Sequence, residues 1–168
     1  IKSKFQDSLT GLEEIARLTE PCIPDLKIIS PKDLIEKIVK DLSDRAKEKN
    51  VILAAEAAPN VKSALLDPRS MRTGVEQIVE SMIDAAASDK KKKIVVIKVS
   101  DFNNELIFEI TYDNIDLPEE QINELPILKA RKIINEHGGN FVHAENFVRI
   151  TLDRHRLDII AEEIYQSE

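Results

Sequence analysis

The chain contains little glycine, a single cysteine and no long apolar run, and these scarcities exclude several classes of protein. Its one cysteine, Cys22, rules out an internal disulfide framework and fits a reducing compartment. No apolar stretch is long enough to cross a bilayer, and no signal-peptide pattern opens the sequence. We therefore expect a cytoplasmic protein that makes no direct contact with a membrane.

The charge balance is negative: 24 lysines and arginines stand against 31 aspartates and glutamates, a net charge of −7. Nucleic-acid binding needs clustered basic residues, so we expect no nucleic-acid partner. The one basic run, Lys90–Lys93, is interpreted as a solvated connection between a helix and a strand, with a docking patch as the alternative. The 168 residues suffice for one domain plus appendages. Because the first residue is Ile and not Met, we expect a longer parent protein.

Periodic apolar residues predict three helices in the first half of the chain. An opening amphipathic helix ends near Pro21. A second helix begins with Ser30 as N-cap and Pro31 as its first residue. Its apolar stripe is Leu34, Ile35, Ile38, Val39, Leu42 and Ala46. The third begins at Asp67-Pro68, and its predicted buried face is Met71, Val75, Ile78, Val79, Met82, Ile83 and Ala86.

Short strands are predicted between and after these helices. They cover residues 51–56, 64–66, 94–100, 105–112, 140–143 and 147–152. The connection Asp101-Phe102-Asn103-Asn104 supplies turn-tolerant residues for a hairpin. A helix over 125–137 has the apolar residues Leu125, Leu128, Ile133 and Ile134. It ends on Gly138-Gly139, which predicts a left-handed cap. A last helix covers 156–166.

The order of elements predicts an α+β fold. It is a two-layer α/β sandwich in which three helices cover one face of a mixed sheet, with helical extensions at both ends. We accordingly divide the chain into an opening helix and linker (1–29), the α+β domain (30–153) and a C-terminal helix (154–168).

Four strings in this order resemble the ATPase domain of sensor histidine kinases, part of the GHKL or HATPase superfamily. They are LIEKIVKDLSDRAKEKNVIL, LLDPRSMRTGVEQIVESMIDAA, LIFEITYDN and the 125–137 helix with HGG and FVRITL. The resemblance implies a Bergerat-type ATPase fold over 30–153. The opening GLEEIARL is similar to the end of the dimerisation helix that precedes this domain in such kinases. That helix could pair as a homodimer.

The resemblance also identifies positions at which this family binds ATP. The third helix carries a residue that activates or orients the attacking group and, four positions later, an Asn that holds Mg²⁺. Here these are Glu80 and Asp84. Their spacing places both carboxylates on one helix face, and Asp can ligate Mg²⁺. The alternative is two solvated acidic residues on an exposed stripe.

The glycines of the family's other motifs are missing. In its Asp-x-Gly-x-Gly motif the Asp binds the adenine amino group; here Asp113 is followed by Ile115 and Leu117 at the glycine positions. A β-branched Ile disfavours a glycine-like backbone and would crowd the base. The phosphate-binding loop corresponds to Glu124 and Pro126, which add negative charge and remove an N–H donor.

The segment between these motifs, 118–124, is short for the lid that the family folds over ATP. Losing several phosphate hydrogen bonds, at about 1.5–3 kcal/mol each, would remove most of the free energy of micromolar binding. We therefore expect a non-catalytic, histidine kinase-like signalling module, a pseudokinase that binds ATP weakly or not at all. It would need no cofactor or metal, and would act as a scaffold for a receiver domain or another kinase.

Two other functions remain open. One is a divergent but active kinase domain that uses Glu80, Asp84 and Asp113 with ATP and Mg²⁺. The other is a histidine phosphotransferase whose phospho-accepting His lies upstream, because no His precedes His137. His137 itself is expected to be a cationic ring at a helix C-terminus. The other two histidines lack metal-ligand spacing, so we expect no zinc site.

Overall fold

The computed structural model describes residues 23–86, 90–117 and 124–167. The elements in these ranges are β1 (Lys27–Ile29), α1 (Pro31–Glu48), β2 (Val51–Ala57), β3 (Ala64–Leu66), α2 (Pro68–Ala85), β4 (Lys93–Phe102), β5 (Glu105–Asp113), α3 (Leu125–Glu136), β6 (Asn140–Ala144), β7 (Phe147–Asp153) and α4 (Arg154–Ser167). The predicted opening helix, Cys22 and the segment 118–123 lie outside the described residues.

Five strands form one mixed sheet in the order β2-β4-β5-β7-β6. β2 runs parallel to β4, and all other neighbours are antiparallel. The predicted α+β class is confirmed. The short β3 does not join this sheet but pairs antiparallel with β1. β1 was not predicted because a three-residue strand after a proline-rich linker has no periodicity of its own.

The predicted hairpin between β4 and β5 is present, but its turn has two residues and not four, because β4 extends through Phe102. Asn103 and Asn104 have φ angles of 49° and 62°. Two consecutive positive φ angles are typical of type I′ hairpin turns, and Asn tolerates them better than most residues.

One face of the sheet is buried beneath α1, α2 and α3. The buried residues of its central strands are Val95, Ile97, Val99, Leu106, Phe108 and Ile110. Every residue predicted on the inner face of α2 is buried, and on α1 only Val39 is partly exposed. The predicted helix α3 is present; on it Ile127 is buried, whereas Leu128 is 36% exposed. α3 packs mainly against α2 and less against the sheet. The buried side of α3 is therefore the side that faces α2.

The basic run is not solvated throughout. Lys93 is the first residue of β4, pairs in register with Val51 and is 0% exposed, whereas Lys90 is exposed. The interpretation of the whole run as a solvated connection is therefore wrong at its last residue. Strand alternation places position 93 on the helix-facing side with Val95.

α3 ends as predicted on a left-handed glycine. Gly138 has a φ angle of 67°, and its N–H donates to the Asn135 carbonyl at 2.9 Å. The Gly139 N–H donates to the Ile134 carbonyl, also at 2.9 Å. This pair of hydrogen bonds is a Schellman motif, which satisfies carbonyl groups that the helix end would leave unpaired.

α4 follows β7 directly and is held by Arg154. The guanidinium donates to the Asp101 carboxylate and, at 2.9 and 2.8 Å, to the carbonyl oxygens of Lys62 and Ser63. Leu157 is the buried anchor of this helix, at 1% exposure. The C-terminal helix therefore packs at the end of the sheet beside β3.

His137 lies at the junction of α3 and α2 and is fully buried. Its Nδ1 lies 2.8 Å from the Ile133 carbonyl oxygen, and its Nε2 accepts a hydrogen bond from the Asp67 N–H at 3.0 Å. Only the neutral tautomer with a proton on Nδ1 makes both contacts. Burial lowers the pKa of His137. The expected cationic ring is wrong, because desolvation outweighs the attraction of the helix C-terminus.

Asp67 extends this junction to the segment before β1. Its carboxylate caps α2 by accepting from the N–H groups of Arg69 and Ser70, each at 3.1 Å, and it accepts from the Asp25 N–H at 2.9 Å. Desolvation opposes ionisation, but the hydrogen bonds from Asp25 and Ser70 lower the pKa of Asp67 below its ordinary value. One side chain thus joins the N-terminal segment to α2.

Replacing Gly138 by Ala is expected to lower the free energy of unfolding by about 1–2 kcal/mol, because an L-residue there must keep a left-handed backbone. The added Cβ would also lie 2.8 Å from Arg156 Cδ. Urea denaturation measures the loss. Gly74→Ala is the matched control: its Cβ makes ordinary contact with Ile133 at 3.6 Å, and alanine is a better helix former. Equal losses in both variants would contradict the assignment.

The stability of the protein is expected to fall as the pH drops below about 6.5, the ordinary pKa of histidine. Above that pH the His137 ring is neutral in both folded and unfolded chains, so its contribution is intact. Below it the unfolded chain takes up the proton first, which costs up to about 1.4 kcal/mol per pH unit until the lowered pKa of the folded state is reached. Urea denaturation between pH 7.5 and 5 measures this slope.

The control for the pH experiment is a pair of histidine variants. His137→Gln should lower stability at neutral pH and remove this part of the pH dependence. His155→Gln, at an exposed position in α4, should retain it. An unchanged slope in His137→Gln would show that other groups cause the acid sensitivity.

Candidate functional site

Glu80 and Asp84 lie one turn apart on the same face of α2, and both meet Arg45 of α1. Arg45 Nη2 donates to both carboxylate oxygens of Asp84, at 2.9 and 2.8 Å, and its Nη1 lies 3.6 Å from Glu80 Oε2. The hydrogen bond to Asp84, with the charges of both carboxylates, raises the pKa of Arg45. The two carboxylates are therefore not simply solvated, as one interpretation held, but share a guanidinium counter-ion.

The Arg45–Asp84 pair has a consequence for metal binding. One guanidinium nitrogen, Arg45 Nη2, contacts both oxygens of Asp84 and uses part of their capacity to bind a hard cation. A magnesium ion that bound Asp84 through both oxygens would compete with Arg45. The side chains of the pair are 45% and 53% exposed, so it contributes little to stability. Its effect is on local charge, because it places a fixed positive group beside two negative ones.

A second arginine connects the same two helices. Arg72 of α2 contacts Asp41 of α1 and donates from Nε to Glu76 Oε1 at 2.7 Å. Sequence reasoning missed both arginines. The available signal was four-residue spacing on both helices, which places Asp41 with Arg45 on α1 and Arg72 with Glu76, Glu80 and Asp84 on α2.

Asp113 is the last residue of β5 and is exposed. The glycine-equivalent positions that follow it are buried: Ile115 is 9% exposed and Leu117 is 7% exposed, and both belong to the hydrophobic core. The positive φ angle of this segment falls instead at Asn114, where it is 59°. Asn114 Nδ2 donates to the Lys92 carbonyl at 2.9 Å. At both positions compared above with the glycines of the Asp-x-Gly-x-Gly motif, this chain therefore has a side chain that packs into the core.

The start of α3 corresponds to the expected phosphate-binding loop. Glu124 is exposed and is the N-cap, but its side chain makes no capping hydrogen bond. Its carbonyl accepts from the N–H groups of Ile127 and Leu128, each at 3.1 Å. Pro126 has no N–H to donate. The prediction of a short lid stays a prediction, because residues 118–123 lie outside the described part.

Two aromatic groups meet beside Asp113. Tyr112 is 6% exposed, and its hydroxyl lies 3.0 Å from His143 Nε2 and 3.1 Å from the Glu145 carbonyl oxygen. Burial raises the pKa of Tyr112. The hydroxyl therefore joins the end of β5 to the β6–β7 turn. His143, to which the sequence assigned no role, takes part in this packing.

No group of three or more His, Cys, Asp or Glu side chains in 23–86, 90–117 and 124–167 is placed to hold a metal ion. None of the helices in those ranges is long and apolar enough to span a membrane.

Similarity to known proteins is found in structure and not in sequence. No family model and no curated protein matches the chain. The histidine kinase AdeS of Acinetobacter baumannii superimposes with a TM-score of 0.69 at 13% identity, over 90% of this chain and 78% of that one. The catalytic domain of the histidine kinase ThkA superimposes with a TM-score of 0.66 at 17% identity, over 77% of this chain and 96% of the domain.

ThkA in complex with the response regulator protein TrrA matches over 92% of this chain and 49% of that chain, with a TM-score of 0.69 and 15% identity. At these identities the comparison establishes the fold. The match to the isolated catalytic domain covers nearly all of that domain, and it accounts for the mixed sheet with helices on one face. The described residues therefore have the fold of a histidine kinase-type ATPase domain.

Proposed function

We propose that this chain is a non-catalytic, cytoplasmic, histidine kinase-like signalling module. It keeps the ATPase fold as a scaffold for a partner protein and binds ATP weakly or not at all. One observation carries the proposal: Ile115 and Leu117 pack into the hydrophobic core at the two glycine-equivalent positions.

The cost of reopening these positions supports the proposal. A nucleotide base that took the space of Ile115 and Leu117 would push both side chains out of the core. Exposing a buried aliphatic side chain costs about 1.5–3 kcal/mol, so the pair would cost about 3–6 kcal/mol. Micromolar affinity corresponds to about 8 kcal/mol in all. The cost is a large part of the binding free energy, before any loss of phosphate contacts is counted.

The charges around α2 support the same conclusion. Arg45 already holds Asp84 through both carboxylate oxygens, so a magnesium ion would compete with a bound cation. At the start of α3, Glu124 adds a negative charge and Pro126 lacks an N–H donor. A phosphate-binding loop would need N–H donors there. The region therefore offers a triphosphate no glycine-rich loop of donors, and a metal ion at Asp84 would lie close to the positive charge of Arg45.

The partner is inferred from the fold. ThkA, of similar fold, is seen in complex with a response regulator protein. A receiver domain is accordingly the first partner to test for this chain, and another kinase is the second. Neither role requires bound nucleotide.

A divergent but active kinase domain is the second candidate function. Glu80 and Asp84 do share a helix face, as that reading requires, and Asp113 is exposed at the end of β5. It predicts that ATP with Mg²⁺ raises the melting temperature and that Asp113→Ala abolishes this effect.

Calorimetric titration of the full chain with ATP and Mg²⁺ is expected to give no saturable heat up to about 1 mM nucleotide, equivalent to less than about 4 kcal/mol of binding free energy. The physical reason is the cost of displacing Ile115 and Leu117, together with the lack of an N–H donor at Pro126. Asp113→Ala is the matched control and should give the same trace. Micromolar binding by the native chain that disappears in Asp113→Ala would support the active kinase instead.

A further inference from the structure

The face of the five-stranded sheet that points away from α1, α2 and α3 carries a row of alternating charges. We call it the open face. Glu56 of β2, Lys98 of β4, Glu109 of β5 and Arg149 of β7 lie opposite one another in register across four neighbouring strands. Read along the row, the signs are negative, positive, negative, positive.

The charged groups of this row are held in place but remain in contact with solvent. Lys98 Nζ lies 3.9 Å from Glu56 Oε2, and Arg149 donates from Nε and Nη2 to Glu109 Oε2 at 2.9 and 2.7 Å. The Arg149 guanidinium also lies 4.9 Å from the centre of the Phe147 ring. The side chains of Glu56 and Lys98 are 63% and 46% exposed, and those of Arg149 and Glu109 are 45% and 27% exposed.

The rows on either side of the charges are uncharged. The residues in register there are Ala54, Val96, Thr111 and Phe147 on one side, and Ser100, Ile107 and Thr151 on the other. A cavity of about 660 Å³ lies along the charged row, and Phe102, which is 64% exposed, lines its edge. The open face is thus a shallow, largely apolar surface with ordered charges across its middle.

We propose that the open face docks a second copy of this chain, in a face-to-face pair whose two-fold axis runs parallel to the strands between β4 and β5. This rotation reverses the order of the row. Glu56 then faces the partner's Arg149, and Lys98 faces the partner's Glu109. A row that alternates in sign over an even number of positions is complementary to its own reversal, so every charge meets its opposite.

The same row excludes other arrangements. A two-fold axis along the row would place each charge opposite its own copy, and an axis along β5 would place Glu109 against the partner's Glu109. Like charges brought together in this way disfavour the wrong partner and register. Sheets packed face to face lie about 10 Å apart, which long charged side chains from both copies can span.

The size of the face predicts a weak pair. Four strands about 4.8 Å apart and about seven residues long, at about 3.3 Å per residue, give an area on the order of 400 Å² per copy. Stable complexes bury about 800 Å² per partner. We therefore expect dissociation constants on the order of 0.1–1 mM, and weaker association when salt screens the exposed charges.

Sedimentation equilibrium of the full chain at about 1 mM protein and low salt is expected to show a monomer–dimer equilibrium. Lys98→Glu alone places like charges opposite the partner's Glu109 and should weaken association at least tenfold. Glu109→Lys alone does the same with positive charges. An equimolar mixture of the two variants restores opposite charges at all four positions, so it should associate at least as tightly as the native chain.

Two further variants separate contacts between copies from contacts within one copy. Exchanging both residues in one chain, Lys98→Glu with Glu109→Lys, places like charges side by side within each copy but keeps opposite charges between copies; dimers should persist. Lys40→Glu, at an exposed position on α1, makes the same change in net charge away from the open face and should leave association unchanged. Circular dichroism establishes that each variant is folded.

The proposal is overturned if the native chain is monomeric at this concentration in low salt. It is also overturned if Lys98→Glu associates as tightly as the native chain, because another surface then carries the contact. If Glu109→Lys does not fold, the comparison of Lys98→Glu with Lys40→Glu decides by itself.

Discussion

Burial of one face of the sheet beneath α1, α2 and α3 is the interaction on which the rest of the structure depends. Alternate residues of β4 and β5 lose nearly all contact with water there, and apolar burial is the main favourable term in folding. The same core continues past the end of β5 into Ile115 and Leu117. Packing that stabilises the fold therefore also fixes the segment that follows β5.

Apolar packing has no direction, so polar contacts decide how α2 sits on its neighbours. At its N-terminal end, Asp67 accepts a hydrogen bond from Asp25 and donates its N–H to His137 of α3. Toward the other end, Arg45 of α1 holds Asp84. The acidic face of α2 is consequently anchored to a cation of the same chain. The opposite side of the sheet carries ordered charges of its own, in register across four strands.

Much of this architecture could be predicted from short stretches of sequence. Asp67-Pro68 starts α2, Asn103-Asn104 turns β4 into β5, and Gly138 ends α3, each through a backbone preference of the residue itself. The spacing of Glu80 and Asp84 was also enough to place them on one helix face. β1 could not be found in this way, because it owes its existence to pairing with β3 and not to a pattern of its own.

Contacts between distant segments were beyond such reasoning. Arg45 and Asp84 are 39 positions apart, and the ring of His137 meets the backbone of Asp67 from 70 positions away. The periodicity of apolar residues and the backbone preferences of turn residues depend only on nearby residues in the sequence. They can therefore be recognised without the structure. Desolvation and ion pairing depend on which elements pack together. For this reason the neutral state of His137, the burial of Lys93 and the cation at Asp84 emerged only from the folded arrangement.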